Sequence, residues 1–306
     1  MIQVTKLSRN YGRFRAIDTV NFKINKGEVV GLLGHNGAGK TTIMRMLTGY
    51  LEPSAGSITV DGLDIGQHKQ AIQKQIGYLP ENCPVWPEMT VIDYLRYQAQ
   101  LHSVAEDAID SAVVDAIRKT DLKQKATASI QTLSRGYRQR VGVAQAILHK
   151  PAIIILDEPT NGLDPTQIQQ MRSLIRELAQ EATIILSTHI LQEVQAVCER
   201  VLIVRNGKLV IDSSIDALQN SQSIEVLIDQ ANAETYLSAI AGVEKVVKRS
   251  SATGLFSYEL TAATAIAPAI AQAVHQSGDQ LFRLNPVTRN LETVFAEVNA
   301  VDTSAA

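Results

Sequence analysis

Two short stretches combine residue types and spacings that can do chemistry on a polyphosphate. GHNGAGKTT, residues 34–42, sets Gly34, Gly37 and Gly39 ahead of Lys40 and the hydroxyls of Thr41 and Thr42. Glycines permit a tight backbone path whose amides, with the N-terminus of a following helix, receive phosphate oxygens. In this glycine-rich phosphate-loop pattern His35, Asn36 and Ala38 complete the binding loop. Lys40 reaches the β and γ phosphates, Thr41 ligates magnesium, and Thr42 adds a phosphate hydrogen bond. The second stretch, IIILDEPTNGLD at 153–164, runs four aliphatic side chains into Asp157 and Glu158. Charges at the end of a buried run need a metal, a partner or water, because burying them bare is too costly. With the phosphate loop supplying the context, Asp157 is expected to hold magnesium through its coordination shell, and Glu158 to orient and activate water as general base. Taken singly, the first stretch also reads as an ordinary glycine turn, and the carboxylate pair as an ion pair or helix cap. Asp164, just before Pro165, reads as a helix N-cap, with an additional interfacial role left open.

These residues need a scaffold, and the pattern around them supplies one. GEVVGLLG (27–34) reads as a core strand entering a turn, with a helix from about Lys40 to Gly49. IIIL and TIILST read as strands of a parallel sheet covered on both faces, flanking a helix PTQIQQMRSLIRELAQ with Pro165 in its first turn. IQVTKL and VNFKI read as short strands of a sheet-rich edge, SITVDGLDI as a hairpin turning at Asp61-Gly62, and VLIVRNGKLVID as a hairpin turning at Asn-Gly. From about Pro80 to Lys150 the pattern is mostly helical: PEMTVIDYLRYQAQL, with Thr90 and Asp93 as a capping box, then EDAIDSAVVDAIRK. After about Asp212 it resets to β-α-β-β-α-β, compatible with a small ferredoxin-like domain, followed by a terminal helix over TRNLETVFAEV and a frayed VDTSAA. The expected fold class is therefore α/β, a P-loop core with a helical insertion near 80–150, spanning 1–212, and a small α+β accessory domain over 213–306.

Composition narrows the functional classes. The 306 residues suffice for about two domains. Twenty-nine basic against 31 acidic residues, a formal charge of -2, make no general electrostatic case for a nucleic-acid partner. Cys83 and Cys198 lack a metal-binding spacing and fit reduced, cytoplasmic conditions. With no run of about 18 apolar residues and no signal-like apolar core in MIQVTKLSRN, any work at a membrane needs another chain to cross it.

The motifs together resemble the ATP-binding-cassette transporter ATPases: GHNGAGKTT, LSRGYRQR (133–140), IIILDEP, the following NGLD and STH (187–189) stand in that family's order across residues 1–212. The resemblance implies ATP and Mg2+ as ligands and a head-to-tail sandwich of two cassettes, in which the phosphate loop of one faces the signature segment of the other. It assigns Ser134 and Gly136 to ATP in the opposing subunit. Alone, LSRGYRQR reads as a capped helix, and Arg135 and Tyr137 depart from the commonest signature, LSGGQ. The resemblance makes Tyr11 an adenine-stacking aromatic, against a plain packing role, and His189 a switch histidine contacting γ-phosphate or attacking water. Glu81 in IGYLPEN stands where such families usually carry glutamine. It keeps an oxygen ligand but adds a charge and loses an amide donor, and reads either as a magnesium contact, direct or through water, or as a solvated loop residue. Glutamate here resembles a branch of ABC-2-type exporter ATPases that includes gliding-motility-associated cassettes. ENCPVWPEMTVIDYL is then a candidate coupling surface. The C-terminal addition, similar to that of many exporter cassettes, is expected to regulate dimerisation, to contact the membrane subunit or only to add stability.

The expectation that follows is a subunit that binds and hydrolyses ATP to power export through separate transmembrane permease subunits. It would pair with a second ABC ATPase subunit, as a homodimer, peripheral to the cytoplasmic face of the membrane and without a nucleic-acid partner. The alternative is a soluble ABC ATPase regulating translation or nucleic-acid complexes, against which stand a single complete cassette and the lack of a coiled-coil insertion or basic stripe. A catalytically weak scaffold would need damaged chemistry, whereas Lys40, Asp157, Glu158 and His189 are all present.

Overall fold

Strands β1 (Ile2–Tyr11) and β2 (Phe14–Ile24) pair antiparallel, and the chain then enters β3 (Val29–Leu33), every residue of which is buried. The structure, a computed structural model, describes residues 1–219, 222–252, 254–262 and 266–288. Helix α1 (Lys40–Leu47) precedes the hairpin of β4 (Ala55–Val60) and β5 (Leu63–Asp64), then α2 (Lys69–Gln73) and β6 (Ile76–Leu79). Asp61 and Gly62 have φ of 47° and 81°, the positive pair that a type I′ turn requires. Helices α3 (Val91–Leu101), α4 (Ile109–Lys119) and α5 (Arg135–Ile147) form the insertion ahead of β7 (Ile153–Asp157). There follow α6 (Pro165–Leu178), β8 (Thr183–Thr188), α7 (Leu191–Val197), β9 (Arg200–Arg205) and β10 (Lys208–Ser214). The expected helices of this part of the chain are here, α1 and α6 each ending two residues early. The segment from Glu106 begins as a 3-10 turn before α4 proper. At α3 the Thr90 hydroxyl accepts the Asp93 N–H and donates to the Asp93 carboxylate at 2.5 Å, so the box closes side chain to side chain.

One sheet, ordered β2-β1-β4-β5, is antiparallel; the other, ordered β10-β9-β3-β8-β7-β6, carries the chemistry-bearing segments. Within it β9, β3, β8, β7 and β6 run parallel. Their register pairs Leu33 with Thr188, Asp157 with Ser187 and Leu79 with Leu156. The loops leaving β3, β8, β7 and β6 therefore emerge side by side at one edge, the carboxyl ends where open α/β sheets place their ligands. Ile43, Met44, Met46 and Leu47 of α1 pack into the same core as Val30, Leu32, Ile155 and Ile185, which locks the helix to the strands on either side of it.

Met1–Ser213 forms one compact unit, and a second begins at Ser214. The second unit comprises α8 (Ile215–Gln219), β11 (Gln222–Ile228), α9 (Glu234–Ser238), β12 (Val243–Ala252), β13 (Leu255–Ala262), α10 (Ala267–Gln276) and β14 (Leu281–Thr288). After α8 the order is β-α-β-β-α-β, and the sheet runs β12-β13-β11-β14, antiparallel throughout. Alternate residues Ile224, Val226 and Ile228 bury against Leu237 of α9 and Ile270 and Val274 of α10. The helix expected over TRNLETVFAEV lies, but for its first residue, outside the described residues, as does the end expected to fray.

Where α3 and α5 meet, His102 stacks on His149 with ring centroids 4.2 Å apart and planes 4° from parallel. Burial, and then the neighbouring His102, pull the His149 imidazole down to about 4, while its Nε2 lies 3.2 Å from the Ile76 carbonyl. Below the ordinary value near 6.5 the unfolded chain thus binds a proton that the folded chain refuses, so stability falls as pH drops from about 6.5 towards 4. His149→Phe, which keeps a flat ring but has no proton to gain, is expected to narrow the loss of melting temperature between pH 7 and pH 4.5 by about 2 to 4 °C. An unchanged loss in the variant would show that this pair does not set the acid response.

Candidate functional site

Gly39, the residue before α1, has φ of 110°, and a Cβ on it would lie 2.5 Å from Ile17 Cδ1. A Cβ on Gly34 would lie 2.5 Å from the Val204 carbonyl oxygen. The loop is thus pressed against β2 and the end of β9, and only glycine permits both the path and the approach. Ala38 N–H donates to the His35 carbonyl at 3.0 Å, closing the turn, and the Ala38 carbonyl accepts from Gly207 N–H at 3.0 Å. His35, Asn36 and Gly37 stand exposed at the crest, whereas Thr41 and Thr42 begin α1 half-buried.

Lys40 is 6% exposed and folds back over this loop, its Nζ donating to the carbonyls of Gly34 at 2.8 Å and His35 at 3.3 Å. The same ammonium lies 3.3 Å from Glu158 Oε1, and Glu158 Oε2 lies 2.8 Å from His189 Nδ1. One carboxylate thus bridges the loop after β3 and the end of β8. Glu158 itself sits at φ 50°, a left-handed conformation uncommon for a side-chain-bearing residue, and its N–H donates to both the carbonyl and the hydroxyl of Ser187 at 3.1 Å. Strained backbone of this kind persists where surrounding contacts over-determine it and clusters at functional sites.

Asp157 is fully buried. Its Oδ1 accepts the Ser187 hydroxyl, while Oδ2 has no hydrogen-bond partner. A buried carboxylate oxygen left without a donor is costly unless a cation approaches it. Among the described residues no group of three His, Cys, Asp or Glu side chains could hold a metal by itself. One buried carboxylate with an unpartnered oxygen, taken with a threonine hydroxyl at the head of α1, instead suits magnesium, which keeps water and phosphate oxygens and takes only one or two carboxylates from protein. Burial, and then the Asp157 charge, push the Tyr78 phenol far above its ordinary range, so it stays neutral beside that carboxylate.

The remaining residues expected from the sequence occupy other elements. Glu81, exposed after β6, accepts from Asn161 Nδ2 at 3.5 Å, the outer limit of a hydrogen bond, which tethers it loosely to the segment after β7. Tyr11 ends β1, exposed, with the Arg9 guanidinium 4.9 Å over its ring. Ser134 caps α5 by accepting Tyr137 N–H at 3.4 Å, and buried Gly136 lies under the Gln167 side chain, whose Oε1 a Cβ would approach to 2.5 Å. Asp164 caps α6, accepting Gln167 N–H at 2.9 Å. Arg135 lays its guanidinium over Gly162, where a Cβ would sit 2.7 Å from the guanidinium carbon. The start of α5 is thereby packed on the segment leading into α6. Tyr137 has two cations near its ring, Lys125 Nζ at 5.5 Å and the Arg140 guanidinium at 5.9 Å from its centroid.

Two residues of the network were not singled out from the sequence. Ser187 holds both Asp157 and the Glu158 N–H; a polar residue closing the apolar run TIIL was the available signal. Glu193 accepts from the hydroxyls of Thr160 and Thr188; a single glutamate on a short helix carried none.

The model of the family described as "ABC transporter" matches residues 17–161. The ABC transporter ATP-binding protein NatA of Bacillus subtilis is 36% identical over 74% of this chain and 95% of its own length. The bacitracin transport ATP-binding protein BcrA of Bacillus licheniformis is 35% identical over 76% of both chains. The uncharacterized ABC transporter ATP-binding protein YxlF of Bacillus subtilis is 31% identical over 97% of this chain and 99% of its own, so it also spans the second unit. Among solved structures, an ATP-binding subunit of an ABC transporter superposes with a TM-score of 0.65 at 30% identity, over 72% of this chain and 92% of its own. The phosphate loop, the carboxylates beside it and these relatives agree: the chain belongs to the ABC transporter family, as a subunit that binds and hydrolyses ATP and couples to transmembrane permeases.

Proposed function

We propose that this subunit works as one half of a homodimer that powers export through separate permease chains at the cytoplasmic face of the membrane, in the manner of ABC-2-type exporters. The observation that carries the catalytic part is the buried bridge of Lys40, Glu158 and His189 beside the unpartnered Asp157 oxygen. Lys40, now shared among two carbonyls and Glu158, exchanges those partners for the phosphates that the loop Gly34–Thr42 receives. His35, Asn36 and Ala38 shape that loop, and Thr42 adds a hydroxyl. Thr41, Asp157 and Glu81 are the residues to hold Mg2+, which supplies charge neutralisation on the phosphate oxygens when bound. Glu158 takes a proton from water as its oxygen adds to the γ phosphorus and the bond to the β-phosphate oxygen breaks, releasing ADP. His189, 2.8 Å from Glu158, orients that carboxylate and faces the transferred group.

Ser134, Gly136 and Asp164 then complete the nucleotide site of the opposing subunit, and Tyr11 stacks on adenine. Support for this comes from the exposure of Ser134, Asp164 and Tyr11 and from the place of Ser134 at the N-terminus of α5. Transport is supported by relatives named for bacitracin transport and lantibiotic transport, and export in particular by the resemblance that Glu81 carries. A peripheral position is compatible with the described residues, in which no helix is long and apolar enough to cross a membrane. The second unit, from Ser214, then regulates dimerisation or touches the permease. Purification of the native complex by gentle solubilisation is expected to bring a membrane-spanning chain with this subunit. A stable ribosomal complex instead would turn the assignment towards translation.

Glu81 gives a separate test. If its carboxylate touches the cation, Glu81→Gln shifts the magnesium concentration for half-maximal hydrolysis several-fold, upward because a charge is lost. If it acts through the loop surface, basal hydrolysis survives and stimulation by the permease changes. No difference in either assay would leave Glu81 as a solvated loop residue.

A further inference from the structure

Among the described residues four charged side chains are buried: Lys40, Asp157, Glu158 and Glu193. The reaction described above uses the first three. Glu193, 1% exposed on α7, lies four residues beyond His189. Its Oε1 accepts the Thr160 hydroxyl, and its Oε2 accepts the Thr188 hydroxyl at 2.7 Å. Thr160 and Thr188 are themselves buried, at 4% and 0% exposure. Thr160 stands two residues after Glu158, in the turn that Asn161 N–H closes on the Glu158 carbonyl at 3.1 Å. Thr188 stands immediately before His189, and its hydroxyl also accepts Ile190 N–H at 3.0 Å, so the backbone on both sides of His189 is tied to it. One carboxylate thus clamps the two segments whose side chains meet in the Glu158–His189 contact.

A purely structural contact at this point would not call for a charge. Buried polar groups cost stability unless satisfied, and well-packed apolar groups of similar volume often do as well or better than a buried ion. What a carboxylate offers is acceptor capacity on two oxygens with no proton of its own, which only Asp and Glu provide. Two hydroxyl donors from different segments are held at once by that arrangement, one on each oxygen. We infer that Glu193 is a positioning residue for ATP hydrolysis: through Thr160 and Thr188 it sets the distance between Glu158 and His189. The inference rests on the roles proposed above for those two residues.

The test is a double-mutant cycle in the full chain, with Mg-ATP hydrolysis and nucleotide binding measured separately. Glu193→Gln places an NH2 donor against one of two hydroxyls that already donate. It is expected to lower kcat by about 10- to 100-fold with KM for ATP within about twofold. In the His189→Ala background, where there is no contact left to position, the same change should cost no more than about threefold. An equal kcat loss in both backgrounds, or a lower melting temperature with kcat intact, would overturn the inference in favour of a structural role. Should Glu193→Gln not fold, Thr188→Val enters the same cycle with the same expected non-additivity, and Thr188→Ser, which keeps the hydroxyl, should recover most of its loss; additivity there, or no recovery, overturns the inference equally. If His189→Ala by itself leaves kcat unchanged, the reading of His189 fails and takes this inference with it. If His189→Ala is impaired while Glu193→Gln is not, the inference alone fails.

Discussion

Glu158→Gln is expected to bind ATP normally, to lose hydrolysis by about 10² to 10⁴-fold and to accumulate as a closed dimer. The amide has the shape of the carboxylate, so the turn at φ 50° and the backbone bonds to Ser187 survive the change. What disappears is the basicity that takes the proton from water. Binding is spared for a second reason: Glu158 Oε1 lies 3.3 Å from Lys40 Nζ and competes with phosphate for that ammonium. A neutral amide competes less, so affinity holds or rises while the chemical step slows. Equilibrium nucleotide binding and single-turnover hydrolysis separate these effects. Near-normal hydrolysis in the variant would remove Glu158 as the base and leave Asp157 and His189 to be tested in its place.

Mixed dimers should separate the two halves of each composite site. One dimer pairs a Lys40→Ala chain with a Ser134→Arg chain; the other pairs a chain bearing both changes with wild type. If the loop of each chain faces the α5 N-terminus of the other, the first dimer collects both defects in one nucleotide site and leaves the second site whole. The second dimer damages both. The first should therefore hydrolyse ATP faster by about tenfold or more, since each defect removes contacts to phosphate charge. Ser134→Arg acts by size. The serine is exposed at the cap of α5, while Gly136 is already covered by Gln167, so an arginine at 134 projects outward into the face that must close. Its positive charge attracts phosphate but cannot restore the short serine contact. Equal rates from the two dimers, verified for composition and with each single change inhibitory, would count against a cross-subunit site.

Much of this was legible along the chain because it depends on neighbours in sequence. The phosphate loop is a local backbone path, written in the spacing of Gly34, Gly37 and Gly39 and the lysine that follows. The turns at Asp61-Gly62 and Asn206-Gly207 have the positive φ pairs that their residue types favour. The caps at Thr90, Ser134 and Asp164 each join groups three residues apart. Continuous apolar runs marked β3, β7 and β8 as strands buried on both faces. The β-α-β-β-α-β alternation after residue 213 likewise needed only periodicity.

Tertiary structure decided what crosses between distant segments. The order β3-β8-β7-β6 and its register bring residues 33, 188, 157 and 79 to one edge, and no local propensity encodes which strand lies beside which. That edge pairs Lys40 with a carboxylate 118 positions away and makes Glu158 the bridge to His189. It also takes Glu193, which on a seven-residue helix of mixed polarity reads as a solvated charge, and buries it between two threonine hydroxyls. The sequence alone thus determined which groups could act on a triphosphate, because short-range backbone chemistry selects their types and spacing. Only the packed sheet decided how their charges meet, because burial and long-range pairing exist once the strands lie together.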